Sequence, residues 1–568
     1  MTGSVEIVDG LSVARGIPLS EEPGIGALTL AGFIREVCES HGPKEAAVLH
    51  IDGDVMRWTY DELWRRSMAI ARALVACGVS KGTRVGVLVT NRPEFLSSVF
   101  GAALAGAIPT PISTFFTPTE LDEVLRLSAV SVLLVEKQVL KKDFGAILHE
   151  LEPQLATGAP GGLHSARYPF LTHVAFVDCD EGRGGIEGAA AFVARGESVD
   201  PGLVDARAAQ VAPADPGILL FSSGSTGKVK GILSANRGAC LQAWRWPQWY
   251  ACDEAPRTWA ANGFFWSGNF CQGMGATLAM GGTLVLQRWF DAAEALQLMQ
   301  DEKVTMPVAW PHQWAQLEAA PNYAEVDLSS LKYVDRLTPL ARHPSVSSNW
   351  RQPEWAYGNT ETFTLITVYP ANTPDEVTRG SHGLPTAGSI IKIIEPLTGA
   401  TMPLGERGEI AVKGPTLMLG YLGVPLAESV DDDGFLRTSD GGYIDADGRL
   451  YWEGRLNDII KTGGANVSPL EIDAVIRECP GVKISQTVGV PDELLGEVVV
   501  TCIVLHEGAS LEGAAIRAFA KEKLASYKVP RHVLFVEESD LKTTGSAKIK
   551  TADLRKLASE RLEAEGVG

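Results

Sequence analysis

Paired cysteines are missing from this sequence. Its eight cysteines are scattered, with no Cys-x-x-Cys pair and no ligand-like spacing with histidine. A reducing, cytoplasmic compartment is the simplest explanation of that pattern. The sequence also has no run of 18 apolar residues, so no membrane span is expected. Its first residues show no basic stretch leading into an apolar core, so no signal peptide is expected.

Positive charge is in short supply. The 568 residues include 50 lysines and arginines against 69 acidic residues, which gives a formal net charge of -19. This balance argues against nucleic acid or an anionic membrane as a partner. A polyanionic ligand would need local positive charge, so each well-placed lysine or arginine is informative. A chain of this length is too long to fold around a single hydrophobic core, so several domains are expected.

Strand and helix patterns alternate along the first half of the chain. A strand at residues 46–51 precedes an amphipathic helix with Leu63, Ile70 and Leu74 on one face, and further pairs follow. This rhythm predicts an α/β fold with doubly wound sheets. Residues 152–165 and 180–212 are rich in glycine, alanine and acids and are predicted to be loops. Residues 409–451 predict a compact β region.

The chain changes character near Asn457. Beyond it, a helix at residues 469–478, two strands and a second helix predict a small α+β domain. We therefore expect a large domain at 1–456 and a small, mobile C-terminal domain at 457–568, with the hinge at Asn457.

A glycine- and hydroxyl-rich stretch follows the apolar residues Leu219 to Phe221. Glycine allows a tight turn and close approach to a ligand, and successive N–H groups and hydroxyls make a concavity suited to phosphate. The spacing fits neither a Walker loop nor a nucleophile elbow, and a plain flexible linker would not abut a strand and carry two lysines. The predicted phosphate-binding residues are Ser222, Ser223, Gly224, Ser225, Thr226, Gly227 and Lys230.

Further motifs follow in a fixed order. They are Tyr357-Gly358-Asn359-Thr360-Glu361, Thr438-Ser439-Asp440, Gly454-Arg455 with Asp458, Lys461, Gly463-Gly464 and Glu471, and the stretch ending in Lys548. Together with the glycine-rich loop, this series resembles the adenylate-forming (AMP-binding) superfamily, in its acyl-CoA synthetase branch. The resemblance covers nearly the whole chain.

The resemblance implies ATP, Mg²⁺ and coenzyme A as ligands. By it, Tyr357 stacks on adenine within the nucleotide-binding set Tyr357 to Thr360, and Glu361 with Thr226 holds the metal. Asp440 binds the ribose hydroxyls and Arg455 contacts the ribose and phosphate side. Lys548 and Lys461 are the catalytic lysines, and the pantetheine of CoA passes along the backbone of Gly463-Gly464. The acyl pocket would include Trp266, Gly268 and Trp310, although core packing is the commoner role of any one aromatic residue.

Several positions depart from the family pattern. They are Val229 in place of proline, Asn236 near the place of a usual histidine, Trp266 in place of another histidine, Ala547 in place of glycine, Asn457 at the hinge, and the 336–340 turn. We expect adenylation to be the weaker half-reaction for this reason.

The leading hypothesis is an ATP-dependent carboxylic acid–CoA ligase that forms an acyl-AMP. An enzyme of the thioester half alone, transfer to a carrier protein, and a non-catalytic binding relative are the alternatives. The acid itself is not specified by the sequence, and a homodimer is one option for the quaternary state.

Overall fold

The computed structural model describes residues 5–8, 10–223, 229–352, 355–456, 458, 460–462, 465–492, 495–524, 528–542 and 549–564. The chain forms two compact units. The first comprises Met1–Ser4, Gly16–Ser389 and Lys413–Gly434, and the second comprises Val5–Arg15, Ile390–Val412 and Phe435–Gly568. The division into these two units reflects which residues pack together, whereas the predicted boundary at 456/457 reflects the motif around Asn457. Asn457 lies outside the described residues, and the functional division at 456/457 stays a prediction.

Parallel strands form two sheets of the first unit. One sheet has five parallel strands in the order Ile186–Glu187, His173–Phe176, Val132–Val135, Arg84–Leu88 and Ile108–Pro111. The other has the parallel strands Met306–Val308, Arg257–Ala260, Thr283–Leu286 and Glu45–Ile51, with Asp54–Thr59 antiparallel at its edge. Val132–Val135 is buried throughout, as expected for a parallel strand covered on both faces. The predicted α/β class is confirmed.

Helices accompany these strands in the first unit. They are Leu30–His41, Tyr60–Ala76, Pro93–Leu104, Pro118–Ser128, Phe144–Leu151, Gln154–Thr157, Ala189–Ala194, Pro201–Ala209, Asn236–Tyr250, Ser267–Asn269, Ala276–Ala279, Ala292–Asp301, Pro311–Glu318 and Asp375–Thr378, with a π-helical turn at Phe270–Gly275. Leu63 and Leu74 lie on the buried face of their helix, as predicted. Along the described residues, no helix combines the length and the apolar character needed to cross a bilayer.

The prediction of loops at 152–165 and 180–212 is wrong in part. These stretches contain the helices Gln154–Thr157, Ala189–Ala194 and Pro201–Ala209. Alanine has the highest helix propensity, and the Asp200 side chain caps the last helix by accepting from the Gly202 N–H. Phe192 and Val204 are buried and anchor two of these helices on the core.

Two small antiparallel sheets of the first unit carry sequence motifs. One orders Pro216–Ser223, Val229–Ala235 and Gly420–Tyr421, and the other orders Tyr357–Asn359, Thr364–Val368 and Leu384–Pro385. The strand predicted before the glycine-rich loop is therefore present.

The second unit contains two sheets. A six-stranded sheet orders Glu6–Ile7, Val13–Arg15, Ile390–Ile394, Gly408–Lys413, Leu436–Ile444 and Leu450–Arg455. A five-stranded sheet orders Ala465–Val467, Ile460–Thr462, Gly496–Leu505 and Val482–Asp492, with His532–Phe535 parallel to Gly496–Leu505. The helices are Pro469–Arg477, Gly513–Lys523 and Thr551–Ala564. The helices and strands predicted for the small α+β domain beyond Asn457 are present among the described residues.

Candidate functional site

The glycine-rich loop joins two strands of a hairpin. Pro216–Ser223 pairs antiparallel with Val229–Ala235, so that Ser222 lies opposite Lys230. Phe221 is buried. Gly224, Ser225, Thr226 and Gly227, with the side chain of Ser223, lie outside the described residues. Their predicted contact with phosphate stays a prediction.

Tyr421 links two charged residues of the predicted nucleotide site, Lys230 and Glu361. Its hydroxyl donates a hydrogen bond to Glu361 Oε1 at 2.7 Å. The Lys230 ammonium lies 5.1 Å from the centroid of its ring, within the range of a cation–π contact. Tyr421 reaches this position because its strand pairs with Ile232 of the hairpin. Lys230 and Glu361 therefore both contact one tyrosine that sequence reasoning missed.

A capped turn presents Glu361. It lies in the 3₁₀ turn Thr360–Thr362, where Asn359 Oδ1 accepts from the Thr362 N–H at 2.9 Å and Thr362 Oγ1 accepts from the Asn359 N–H at 3.0 Å. These reciprocal bonds satisfy the exposed donors of the turn. The Glu361 backbone oxygen also accepts from the Met418 N–H at 2.7 Å. The turn thus fixes the direction of the carboxylate.

Gly358 is required by a close backbone approach. A Cβ at this residue would lie 1.9 Å from the Thr364 carbonyl oxygen of the neighbouring strand. Only glycine fits such a contact without displacing backbone. Tyr357, directly before it, is buried at 5% exposure.

Trp266 and Trp310, both predicted for the acyl pocket, contact each other. Their ring centroids are 5.1 Å apart, and Phe115 stacks on Trp266 at 5.7 Å. The Gln313 side chain accepts from the Trp310 N–H at 3.0 Å, and its amide pairs with that of Asn262. This buried amide pair positions the backbone next to both tryptophans. Their role toward the substrate stays a prediction.

Lys142 holds the segment that carries Phe115. Its ammonium donates to the carbonyl oxygens of Thr114, Phe115 and Phe116 at 2.9, 3.0 and 2.9 Å. Burial lowers the pKa of Lys142. No sequence pattern indicated this contact, since it joins residues about 27 positions apart.

Gly268 and Gly273 differ in their surroundings. A Cβ at Gly268 would meet nothing within 4 Å, whereas one at Gly273 would lie 3.2 Å from the Ala260 Cβ. Open space beside Gly268 agrees with its proposed place in the pocket. Gly273, by contrast, is packed against the core.

A pocket of the first unit has an empty volume of about 430 Å³, counted to its open mouth. Its lining is Tyr250, Gln272, Met306, Pro307, Val308, Ala309, Trp314, Tyr333, Val334, Asp335, Thr338, Trp350 and Gln352. Trp266, Gly268 and Trp310 are not in this lining, but Gln272 and Trp314 follow Gly268 and Trp310 by four residues. Thr338 belongs to the 336–340 turn.

Asp440 and Arg455 are partners in the second unit. They lie opposite each other on neighbouring strands, and Arg455 Nε is 3.0 Å from Asp440 Oδ1. Arg455 Nη1 also donates to the Thr438 carbonyl oxygen at 3.0 Å. Asp440 is buried at 4% exposure, while about half of the Arg455 side chain is exposed. These two residues were predicted to bind the ribose, and that role stays a prediction.

Lys461 is exposed on the strand Ile460–Thr462, and its N–H donates to Glu497 Oε2 at 2.8 Å. Gly463, Gly464, Ala547 and Lys548 lie outside the described residues. The structure therefore brings together two of the predicted residues in each unit, Lys230 with Glu361 in the first and Asp440 with Arg455 in the second, and their roles stay predictions.

Comparison with solved structures defines the class of fold. The crystal structure of an anthranilate CoA ligase in complex with anthranoyl-AMP matches with a TM-score of 0.76 at 24% identity, over 96% of this chain and 99% of that one. The shared fold combines a large α/β part with a C-terminal α+β part.

The chain belongs to the AMP-binding enzyme family. The family profile matches residues 34–422, and the profile of the AMP-binding enzyme C-terminal domain matches residues 471–548. A 3-[(3aS,4S,7aS)-7a-methyl-1,5-dioxo-octahydro-1H-inden-4-yl]propanoyl:CoA ligase of Mycobacterium tuberculosis is 31% identical over 88% of this chain and 94% of its own. A feruloyl-CoA synthase of an Amycolatopsis species is 30% identical over 88% and 93%. The predicted superfamily and its acyl-CoA synthetase branch are confirmed.

Proposed function

We propose that this chain, an AMP-forming acid–CoA ligase, activates a carboxylic acid that carries a ring system. The adenylation half of this reaction rests on one observation: Lys230 lies against the ring of Tyr421, and Glu361 accepts from the hydroxyl of the same residue. Tyr421 contacts both side chains, so the lysine can bind a negatively charged part of a ligand and the carboxylate can bind a cation. A polyanion such as ATP needs both a cation for its phosphates and a carboxylate for its metal.

The reaction has two halves. The substrate carboxylate attacks the α-phosphorus of ATP and pyrophosphate leaves, which gives an acyl-AMP. The CoA sulfur then attacks the acyl carbonyl and AMP leaves, which gives the thioester. In the first half Lys230 and Lys548 would stabilise developing negative charge, and Lys461 would assist as a second catalytic lysine. Asp440 and Arg455 would hold the ribose, and Gly463-Gly464 would pass the pantetheine.

Mg²⁺ fits the residues present near the phosphates. Magnesium usually binds one or two protein oxygens and completes its shell with phosphate and water. Glu361 supplies one carboxylate, of which Oε1 already accepts from Tyr421, so with respect to the described residues Oε2 is left for a cation. Thr226 would add a hydroxyl. When bound, the ion would neutralise phosphate charge.

A ring-bearing acid is supported by two observations. Tyr250, Trp314, Tyr333 and Trp350 line the pocket. The two curated relatives are named for a propanoyl group on a bicyclic ring system and for a feruloyl group.

All eight cysteines are free thiols, which supports a reducing, cytoplasmic compartment. A homodimer stays a prediction.

Acid-dependent ATP–pyrophosphate exchange, measured beside CoA transfer from synthetic acyl-adenylates, tests the proposal. Both activities are expected with ring-bearing acids. Lys548→Ala should abolish exchange and largely spare transfer, whereas Gly464→Leu should spare exchange and impair transfer. Transfer without exchange for any acid would replace the ligase by an enzyme of the thioester half. Exchange without CoA transfer would indicate another acceptor, such as a carrier protein.

A further inference from the structure

The aromatic residues of the pocket present apolar surface to it. The Tyr250 hydroxyl donates to the Gln272 carbonyl oxygen at 3.1 Å, and the Trp350 indole N–H donates to the Tyr250 carbonyl oxygen at 2.8 Å. The Tyr333 hydroxyl is hydrogen-bonded to the Asp253 carboxylate. Because these polar atoms are already bonded to protein, the three rings offer faces and edges for a flat or polycyclic body.

The pocket has little charge. Of its thirteen lining residues, Asp335 alone is charged, and its two oxygens accept from the backbone N–H groups of Leu337 at 2.8 Å and Gln352 at 2.7 Å. Neither a lysine nor an arginine is among the described residues of the lining. A second carboxylate on the substrate would lose its hydration there without gaining a counter-charge, and it would face Asp335.

Besides the Trp314 indole N–H, two amide residues of the lining, Gln272 and Gln352, offer polar groups. Gln272 and Gln352 use only backbone atoms in hydrogen bonds with the described part of the chain. A glutamine amide offers both a donor and an acceptor, so it can bind a hydroxyl or a keto oxygen. An uncharged oxygen on the substrate ring is the group that these amides suit best.

Gln272 is the better placed of the two. It lies in the π-helical turn Phe270–Gly275, and the hydrogen bond from Tyr250 to its carbonyl fixes its backbone. Single π-helical turns within helices occur frequently at functional sites. Gly268, one turn earlier, leaves open space beside its Cα.

We propose that Gln272 determines substrate specificity by binding an uncharged oxygen on the ring of the acid. The preferred substrates are therefore monocarboxylic acids whose ring carries a hydroxyl or keto group, and acids with a second carboxylate are rejected. This inference rests on the proposed function, since it concerns the acid that the same reaction activates.

The test compares near-isosteric acids in CoA ligation. The probes are 3-phenylpropanoate, its 2-, 3- and 4-hydroxy derivatives, and 3-(4-carboxyphenyl)propanoate. The wild type should favour the best hydroxy isomer over the parent acid by about tenfold in kcat/KM, as expected for one neutral hydrogen bond. The dicarboxylate should fall well below the parent. Gln272→Leu should remove the hydroxyl preference, and its denaturation midpoint beside that of the wild type shows whether the variant is folded. Gln352→Leu is the matched comparison and should keep the preference.

Two results would overturn the inference. One is an unchanged hydroxyl preference in Gln272→Leu, and the other is turnover of the dicarboxylate at the rate of the parent acid. Calorimetric titration of the same acids separates this inference from the proposed function. Without any CoA thioester the ligase proposal fails, but tighter binding of a hydroxy acid by the wild type than by Gln272→Leu still supports the role of Gln272. Equal binding by both proteins rejects it.

Discussion

The Tyr421 hydroxyl donates a 2.7 Å hydrogen bond to Glu361 across a sequence separation of 60 residues. Hydrogen bonds to a charged group contribute about 1.5–3 kcal/mol. Tyr421→Phe removes this bond but keeps the ring beneath Lys230. We expect a higher Mg²⁺ requirement and a rate of ATP–pyrophosphate exchange about tenfold lower at limiting Mg²⁺, with recovery at high Mg²⁺.

Tyr421→Leu removes the ring as well, so it should also raise the KM for ATP through the loss of the contact to Lys230. Tyr443→Phe, in the other unit, serves as the control. A magnesium titration of Tyr421→Phe that coincides with the wild-type curve would show that Tyr421 does not position Glu361.

The same substitution at two glycines should have opposite outcomes. Gly358→Ala places a Cβ 1.9 Å from the Thr364 carbonyl oxygen, and relief of that clash must move Tyr357 or Glu361 nearby. We expect the free energy of unfolding to fall by about 1–3 kcal/mol, and the KM for ATP to rise. Gly268→Ala meets open space and should leave stability unchanged. Denaturant melts with ATP kinetics measure both, and equal stability of the two variants would contradict the close approach at Gly358.

Burial lowers the pKa of His382 to about 4 from the ordinary 6.5. The folded protein therefore keeps this imidazole neutral, while the unfolded chain takes up a proton as the pH falls through 6.5. The free energy of unfolding should drop by up to about 3 kcal/mol between pH 6.5 and 4 on account of this group, and the contribution is fully present above pH 6.5. His382→Gln should remove that part of the pH dependence.

The exposed His506 provides a matched control substitution, His506→Gln. A His382→Gln profile parallel to the wild type between pH 4 and 6.5 would show that His382 titrates normally in the folded protein.

Local pattern was enough to predict much of the fold. The strand Glu45–Ile51 and the amphipathic helix Tyr60–Ala76 follow from hydrophobic periodicity and were predicted. The helices Ala189–Ala194 and Pro201–Ala209 were missed because short, alanine-rich segments between acids and glycines resemble loops in composition.

Some residues of the candidate site were predicted from local motifs, and others could be recognised only from tertiary contacts. Glu361, Asp440 and Arg455 were found because contiguous motifs carry them. Tyr421 and Gln272 were missed because their roles arise from tertiary contacts, a strand pairing in one case and a pocket wall in the other. Such contacts join residues far apart in the chain, so no local spacing of residue types predicts them.

Product stoichiometry tests the central claim most directly. The protein is incubated with ATP, CoA and a hydroxyphenylpropanoate, and the nucleotides, pyrophosphate and thioester are quantified together. An AMP-forming acid–CoA ligase gives AMP, pyrophosphate and acyl-CoA in equal amounts, with each dependent on the acid. Formation of ADP and phosphate with the thioester, or of thioester without consumption of ATP, would contradict it.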